Sequence, residues 1–423
     1  MADWETKPLG EVCTIKPPKS EARAKLADGD EVSFAPMEDL GIGEKYLQPR
    51  RTRHLGEVSG SYTYFADGDV LLAKITPCFE NGKLGVARGL TNGVGFGSSE
   101  YIVLRPAPAL DAEFLYYYLA RPTFLEEGAR TMTGAVGHKR VTKEFVESYP
   151  IPLPLLAEQR RIVAILDEAF AGIATAKANA EKNLQNAREL FASRMQVLFG
   201  QDEGWERVQL EELLVRGWIT SHLDGNHGSD YPRKEEFVDA GVPYIAARAL
   251  RGGIVDFDEA KYLSPERAAT IRKGLAKDRD VLFAHNATVG PVAILSTDEE
   301  VVILGTSLTY YRCDPQHIHP EYLAHFMLSP AFTSQYAQVM KQSTRNQVPI
   351  TKQREFFHVI PPIDVQLRIA NDLDELSTQT ERLADIGVRK LIALEELKKC
   401  LLHQAFTGAL SDKSTDQQVA EVV

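Results

Sequence analysis

A run of 42 residues without a proline, Glu158 to Phe199, is the strongest constraint on this chain. It contains a single glycine, Gly172. As one helix it would extend roughly 60 Å, several times the usual length. Apolar or small residues fall at Ile162, Leu166, Ala169, Ile173, Ala176 and Ala180, and the seam continues through Leu184, Ala187, Phe191 and Leu198. Over its first half the steps alternate four and three, the spacing of a coiled coil. So narrow a stripe on so long a helix requires a partner helix.

Val365 to Phe406 provides one, with a seam of Ile369, Leu373, Leu376, Thr380 and Leu383, then Leu394, Leu397 and Leu401. Gly387 and Lys390 interrupt it, and Ile386 and Leu391 are expected to cover the gap. Both helices are entered through proline phrases, Ile151-Pro152-Leu153-Pro154 and Ile360-Pro361-Pro362-Ile363. Proline ends the preceding element and is tolerated just before a helix.

The helices belong to a two-fold internal repeat. Trp4-Glu5-Thr6-Lys7-Pro8-Leu9 is matched by Trp205-Glu206-Arg207-Val208-Gln209-Leu210. Gly68-Asp69-Val70-Leu71-Leu72-Ala73 is matched by Arg279-Asp280-Val281-Leu282-Phe283-Ala284, and Ser99–Leu104 by Ser307–Arg312. Amphipathic helices at Glu113–Leu119 and Glu321–Met327 follow, then Val141-Thr142-Lys143 and Ile350-Thr351-Lys352. Six phrases in one order, 201 to 211 residues apart, define two equivalent halves. Short β-branched and aromatic strands do not alternate with helices, so the fold class is α+β. The division is 1–157 globular, 158–203 helix, 204–363 globular, 364–410 helix and 411–423 tail. The simplest assembly pairs the two helices antiparallel with pseudo-two-fold symmetry and holds the globular domains at opposite ends.

The net charge of −11 over 423 residues argues mildly against nucleic acid. Split at 157, 203 and 363, the segments carry −3, −1, −3 and −4, so DNA binding would rest on local patches or on a partner. No apolar run reaches the ~18 residues of a membrane span. No signal core opens the chain, and Cys13, Cys78, Cys313 and Cys400 stand far apart, as in a reduced cytoplasmic protein without a zinc site.

The phrase Gly68–Lys83, the proline phrase running into Glu158-Gln159-Arg160-Arg161-Ile162-Val163, Ser343–Lys352 and Gln404–Leu410 together resemble the specificity subunits of Type I restriction–modification enzymes. The resemblance covers nearly the whole chain up to Leu410. It implies two target-recognition domains reading the halves of a split, asymmetric site in double-stranded DNA, with helices that set the gap and dock two methyltransferase subunits. Those partners would transfer a methyl group from S-adenosylmethionine to adenine N6. Translocase–nuclease subunits using ATP and Mg would complete the complex. It implies neither catalysis nor a cofactor in this chain.

Four polar loops, with a nearby arginine cluster, are the candidate DNA contacts. In the first half they are the run Lys74, Thr76, Asn81 and Lys83, the cluster Arg50, Arg51 and Arg53, and the glycine-rich His138, Lys139 and Arg140. In the second half they are His285, Asn286 and Thr288, with Arg345, Asn346, Gln347 and the following Lys352. Arginine pairs with guanine, and asparagine or glutamine with adenine, in the major groove, while lysine mostly meets phosphate. For each side chain singly the competing reading is a solvated group, and for Asn81-Gly82 it is a hairpin turn. Gly93–Gly97 lacks the context of a phosphate loop. Tyr116, Tyr117 and Tyr118 read as core, and Thr220–Gly228 as a polar loop. A self-contained methyltransferase would need an Asp/Asn-Pro-Pro-aromatic motif, which Tyr149-Pro150-Ile151-Pro152 does not supply. A nuclease would need clustered carboxylates with a lysine on adjacent strands; Glu80 and Lys83 lie near each other, but the second half has no equivalent. A protein-only scaffold would not need duplicated polar loops.

Overall fold

The structure is a computed structural model that describes residues 4–135, 137–200, 204–225, 231–341 and 346–411. It divides into two compact units, Met1–Glu181 with Arg389–Val423, and Lys182–Val388. Each unit is an α+β body of its own.

In unit one, β1 (Cys13–Ile15), β2 (Glu31–Ala35), β3 (Arg51–His54), β4 (Thr63–Ala66), β5 (Val70–Ala73), β6 (Leu84–Val86), β7 (Val94–Gly97) and β8 (Tyr101–Pro106) form two sheets. Their orders are β1-β8-β5-β6 and β3-β2-β7-β4. Every residue of β5 is buried. Strand alternation sends Val70 and Leu72 toward the helices, and Leu71 and Ala73 toward a smaller core with Phe65 and Val103. Helix α1 (Ala112–Leu119) is capped by Asp111, whose carboxylate accepts the backbone N–H groups of Glu113 and Phe114. It buries all six residues from Phe114 to Leu119, so the three consecutive tyrosines are core, as their sequence suggested. The two ends of the domain are tied by Thr6–Pro8 pairing antiparallel with Pro150–Pro152.

The 45-residue helix α2 (Leu156–Gly200) begins in this unit. Its Ile162, Leu166, Ala169 and Ile173 share a core with α1. That core also takes Leu401, Leu402, Ala405 and Phe406 from the far end of the second long helix. Arg161 donates to the Leu410 carbonyl at 2.5 Å, and Lys177 pairs with Glu395 at 2.8 Å, so the two segments run antiparallel.

Unit two repeats the plan. β9 (Ile219–Asp224), β10 (Leu250–Arg251), β11 (Ile254–Val255), β12 (Val281–Asn286), β13 (Thr288–Ile294) and β14 (Leu308–Cys313) form one sheet, in the order β9-β14-β12-β13-β11-β10. A second, five-stranded sheet is built around Val242–Ile245 and Val302–Leu304. Helix α3 (Pro320–Leu328) takes the place of α1, and the 45-residue α4 (Ile363–Thr407) that of α2. Ile369, Ala370 and Leu373 of α4 share a core with Met195 and Phe199 of α2. Glu206–Gln209 pairs with Phe357–Ile360, as the equivalent segments do in unit one.

The seam of α4 departs from its sequence reading at one place. Leu383 and Ile386 are 54% and 46% exposed, while Thr380 and Gly387 are buried. The buried positions here are thus small ones, and Leu391 is half-buried. Ala180 and Ala187 are the buried positions of α2 on the same stretch.

Candidate nucleic-acid interface

In unit one, two loops some sixty residues apart in sequence are stitched into one surface. The chain leaves β5 at Ala73. Val141 donates its N–H to the Lys74 carbonyl at 2.9 Å, and Thr76 donates to the Lys139 carbonyl at 3.0 Å. Ile75 and Arg140 form an isolated bridge between them. The Arg140 guanidinium is locked on Glu100 by two bonds of 2.9 Å, which hold that carboxyl below its ordinary range. Lys74 caps the Ser99 carbonyl at 2.9 Å, and Lys83 reaches inward to the Met37 carbonyl at 2.8 Å. Thr76 donates to Glu80 at 2.9 Å, and Asn81 sits in a backbone turn closed on Pro77. His138 and Lys139 are exposed.

Beside this surface lies a cavity of about 480 Å³ lined by Lys16, Lys19, Lys74, Arg140 and Lys143, with Tyr62 and Tyr64. Burial, and then the charges of Lys16 and Arg23, push the Lys19 ammonium below its ordinary value. Such mutual repulsion is relieved when an anion enters. Lys16 holds a left-handed backbone, φ 59°, a conformation uncommon for a residue with a side chain. The sequence reading missed Lys16, Lys19 and Lys143. The signal available was Lys16-Pro17-Pro18-Lys19, where two prolines keep the chain extended between two cations.

Arg50, Arg51 and Arg53 lie elsewhere, at the edge strand β3 of the second sheet. Arg51 and Arg53 share one face by alternation and meet Glu38 at 3.2 Å and Glu57 at 3.8 Å. Arg50 stands 3.7 Å from the buried Asp39.

Unit two joins its corresponding loops in the same way. Val348 donates to the His285 carbonyl at 2.8 Å, Ala287 donates to the Asn346 carbonyl at 2.9 Å, and Asn286 bridges to Gln347. The Asn346 side chain donates back to the Ala287 carbonyl. Thr288 and Asn346 are exposed, and Asn286 and Gln347 are half-buried. His285 is buried with Nδ1 at 3.0 Å from the Val348 carbonyl, so its ring joins the loops from beneath. Lys352 is exposed and paired with Glu355 at 2.9 Å. Arg345 lies outside the described residues, as do 226–228 of the Thr220–Gly228 stretch, whose first five residues belong to β9 instead of a loop.

Gln353, which the sequence gave no reason to single out, supports this surface. Fully buried, it donates to the Val348 carbonyl at 3.1 Å. Its oxygen faces Thr309 and Tyr311 at 3.0 Å each and His222 Nε2 at 3.2 Å. Burial pushes His222 and His358 down to about 4, so both rings are neutral at pH 7. A polar network this enclosed fixes a loop only when its members are paired.

Where the strand that leads to each surface begins stands the same ion pair. Arg105 grips Asp69 with bonds of 2.6 and 2.8 Å, and Arg312 grips Asp280 at 2.9 and 2.7 Å. Burial raises both carboxyls, and the guanidinium opposes that rise.

A family model described as the Type I restriction modification DNA specificity domain matches residues 1–185. The Type I restriction enzyme EcoEI specificity subunit of Escherichia coli is 43% identical over 161 residues, 38% of this chain and 26% of that protein. The EcoAI specificity subunit of Escherichia coli is 30% identical over 291 residues, 66% of this chain and 46% of that protein. The chain therefore spans about a quarter and just under half of the length of these two relatives. A chain in a solved structure, described for complex assembly and conformational transition of the type I R-M system, has the same fold. It matches with a TM-score of 0.73 at 18% identity, covering 95% of this chain and 97% of that one. Over residues 1–185 the chain thus matches the Type I restriction modification DNA specificity domain, and it is similar to the specificity subunits of Type I restriction enzymes.

Proposed function

We propose that this chain is the non-catalytic, sequence-reading subunit of a Type I restriction–modification complex. Each unit reads one half of a split, asymmetric site in double-stranded DNA. The long helices set the unread gap and dock two methyltransferase subunits, which carry S-adenosylmethionine and methylate adenine N6. Translocase–nuclease subunits bring ATP and Mg and cut unmodified DNA. The complex works in the cytoplasm.

The observation that carries this reading is the duplicated loop surface. In both units a strand-end loop is hydrogen-bonded to a loop about sixty residues further on, and the exposed side chains differ. Lys139 and Arg140 stand where the second unit has Asn346 and Gln347. One scaffold with two polar inventories suits two unlike half-sites, and fixed spacing between readers is how half-site geometry is imposed. The cations of the unit-one cavity suit phosphate, and the acidic balance of the whole chain leaves the remaining phosphate contacts to partners. The scaffold reading explains the helices but not the loops.

The test is adenine-methylation mapping of DNA from cells expressing this chain with its methyltransferase, against cells lacking the chain. A split motif with a fixed gap that disappears with the chain is expected. Methylation unchanged by its removal, while the two proteins still co-purify, would leave a scaffold and defeat the reading role.

A further inference from the structure

The two units differ at one corresponding place between domain and helix. In unit one, Val86 donates to the Lys45 carbonyl at 2.8 Å and bridges in parallel with Tyr46. In unit two, Ile294 donates to the Gly253 carbonyl at 3.1 Å and pairs in parallel with Ile254. Lys45-Tyr46 and Gly253-Ile254 are therefore equivalent.

Lys45 is a latch. Its ammonium lies 2.6 Å from Glu113 on α1 and 2.6 Å from Asp167 on α2, and Tyr46 donates to Glu113 at 2.7 Å. Burial opposes the lysine charge, and the bonds to Asp167 and Glu113 outweigh it, so the ammonium is held above its ordinary value.

Both carboxylates recur in unit two. Glu321 opens α3 as Glu113 opens α1, and Asp374 follows Gln366 by eight residues, as Asp167 follows Gln159. The latch does not recur, because Gly253 has no side chain and Ile254 points away, 66% exposed. A groove of about 920 Å³ opens there, its floor including Phe191 and Leu328, the latter 40% exposed. Asp374 and Glu381 stand on the helix wall with Arg188, while Arg279 is held by Glu321. Asp374 has His325 at 2.7 Å and is otherwise open to solvent.

We propose that this groove docks a segment of the methyltransferase subunit that presents a lysine or arginine beside an aromatic ring. The cation meets Asp374 and Glu381, and the ring covers Ile254 and Leu328, as Lys45 and Tyr46 act within unit one. An apolar floor beside Asp374 and Glu381, two carboxylates that Arg279 does not engage, suits that pair. The inference rests on the proposed function, since it assigns the partner from it.

The test uses the full chain and the purified methyltransferase, with affinity measured by titration calorimetry. The double substitution I254E/L328E alters two exposed side chains and should weaken binding at least tenfold, with the melting temperature unchanged. In an otherwise native chain, a photo-crosslinking residue at position 254 should capture a methyltransferase peptide with a cation next to an aromatic. Unchanged affinity of the double variant, or capture of a segment without that pair, overturns the inference while the functional reading stands. A native chain that does not bind the methyltransferase at all defeats both.

Discussion

The side-chain oxygen of Gln159 accepts the backbone N–H of Asp111 at 2.8 Å. Its amide nitrogen donates to the carbonyls of Ala109 and Pro154 at 2.9 and 2.8 Å. Gln366 makes the same three bonds in unit two, to His319 N–H and to the carbonyls of His317 and Pro361. One buried glutamine thus ties the start of each long helix to the segment leading into the helix beside it. Gln159→Ala leaves three backbone groups without this partner, of which the Pro154 carbonyl belongs to a buried residue, and should cost unit one about 1–3 kcal/mol. Urea unfolding monitored on unit-one tryptophan or by hydrogen exchange would show it, with Gln366→Ala moving unit two instead.

The ion pair of Arg312 with Asp280 should be unforgiving when one member is lost. Asp280→Ala leaves a guanidinium in the sheet with no carboxylate, for a loss of about 2–4 kcal/mol after allowing for its partial exposure. Replacing both residues with similar-sized apolar ones should recover most of that in the same unfolding measurement.

Acid should loosen unit two through its histidines. His222 and His358 sit near 4 in the fold, against an ordinary value of 6.5. Between those values the unfolded chain binds more protons than the folded one. The stabilisation is therefore complete above 6.5 and is lost as pH falls toward 4, by up to about 3 kcal/mol for each ring. Hydrogen exchange in β14 at pH 5 and pH 7 checks this, and His358→Phe should flatten part of the difference.

Removing Lys45 should release its latch. Lys45→Met leaves Glu113 and Asp167 facing each other with Arg88, 3.7 Å from Glu113, as the remaining nearby cation, and should cost about 1–2 kcal/mol given their partial exposure. Faster exchange at the start of α1 would report it.

The proposed DNA contacts separate into two kinds. Lys16→Ala and Lys19→Ala should weaken binding of the assembled complex to every sequence and reduce the salt slope by about one each. Asn346→Ala should instead change the methylated motif at one half-site only. A lysine variant that altered the motif, or an asparagine variant that left it intact, would reverse these assignments.

The repeat, the long helices and the polar loops were readable because each is written in contiguous residues with a fixed period or offset. Leu383 and Ile386 misled because they are the large apolar residues of that stretch, whereas the buried positions are Thr380 and Gly387. His285 was grouped with its polar neighbours as a candidate contact, although strand alternation turns its ring inward. The basic cavity draws on Lys16, Lys74 and Lys143, whose meeting depends on sheet topology and leaves no local pattern. Gln353 and Gln366 were invisible for the opposite reason: a lone buried amide looks like any surface glutamine until its partners are known.

Phe406 packs against Phe114 and Tyr118, with ring centroids 5.0 Å apart in both cases. On the ribosome, Phe114 is made nearly three hundred residues earlier, a delay of tens of seconds at ~5–20 residues per second. Until then the earliest-made half exposes an apolar wall that only the last turns of α4 cover. A nonsense codon just after Leu397 would therefore strike the part of the protein that was synthesised first.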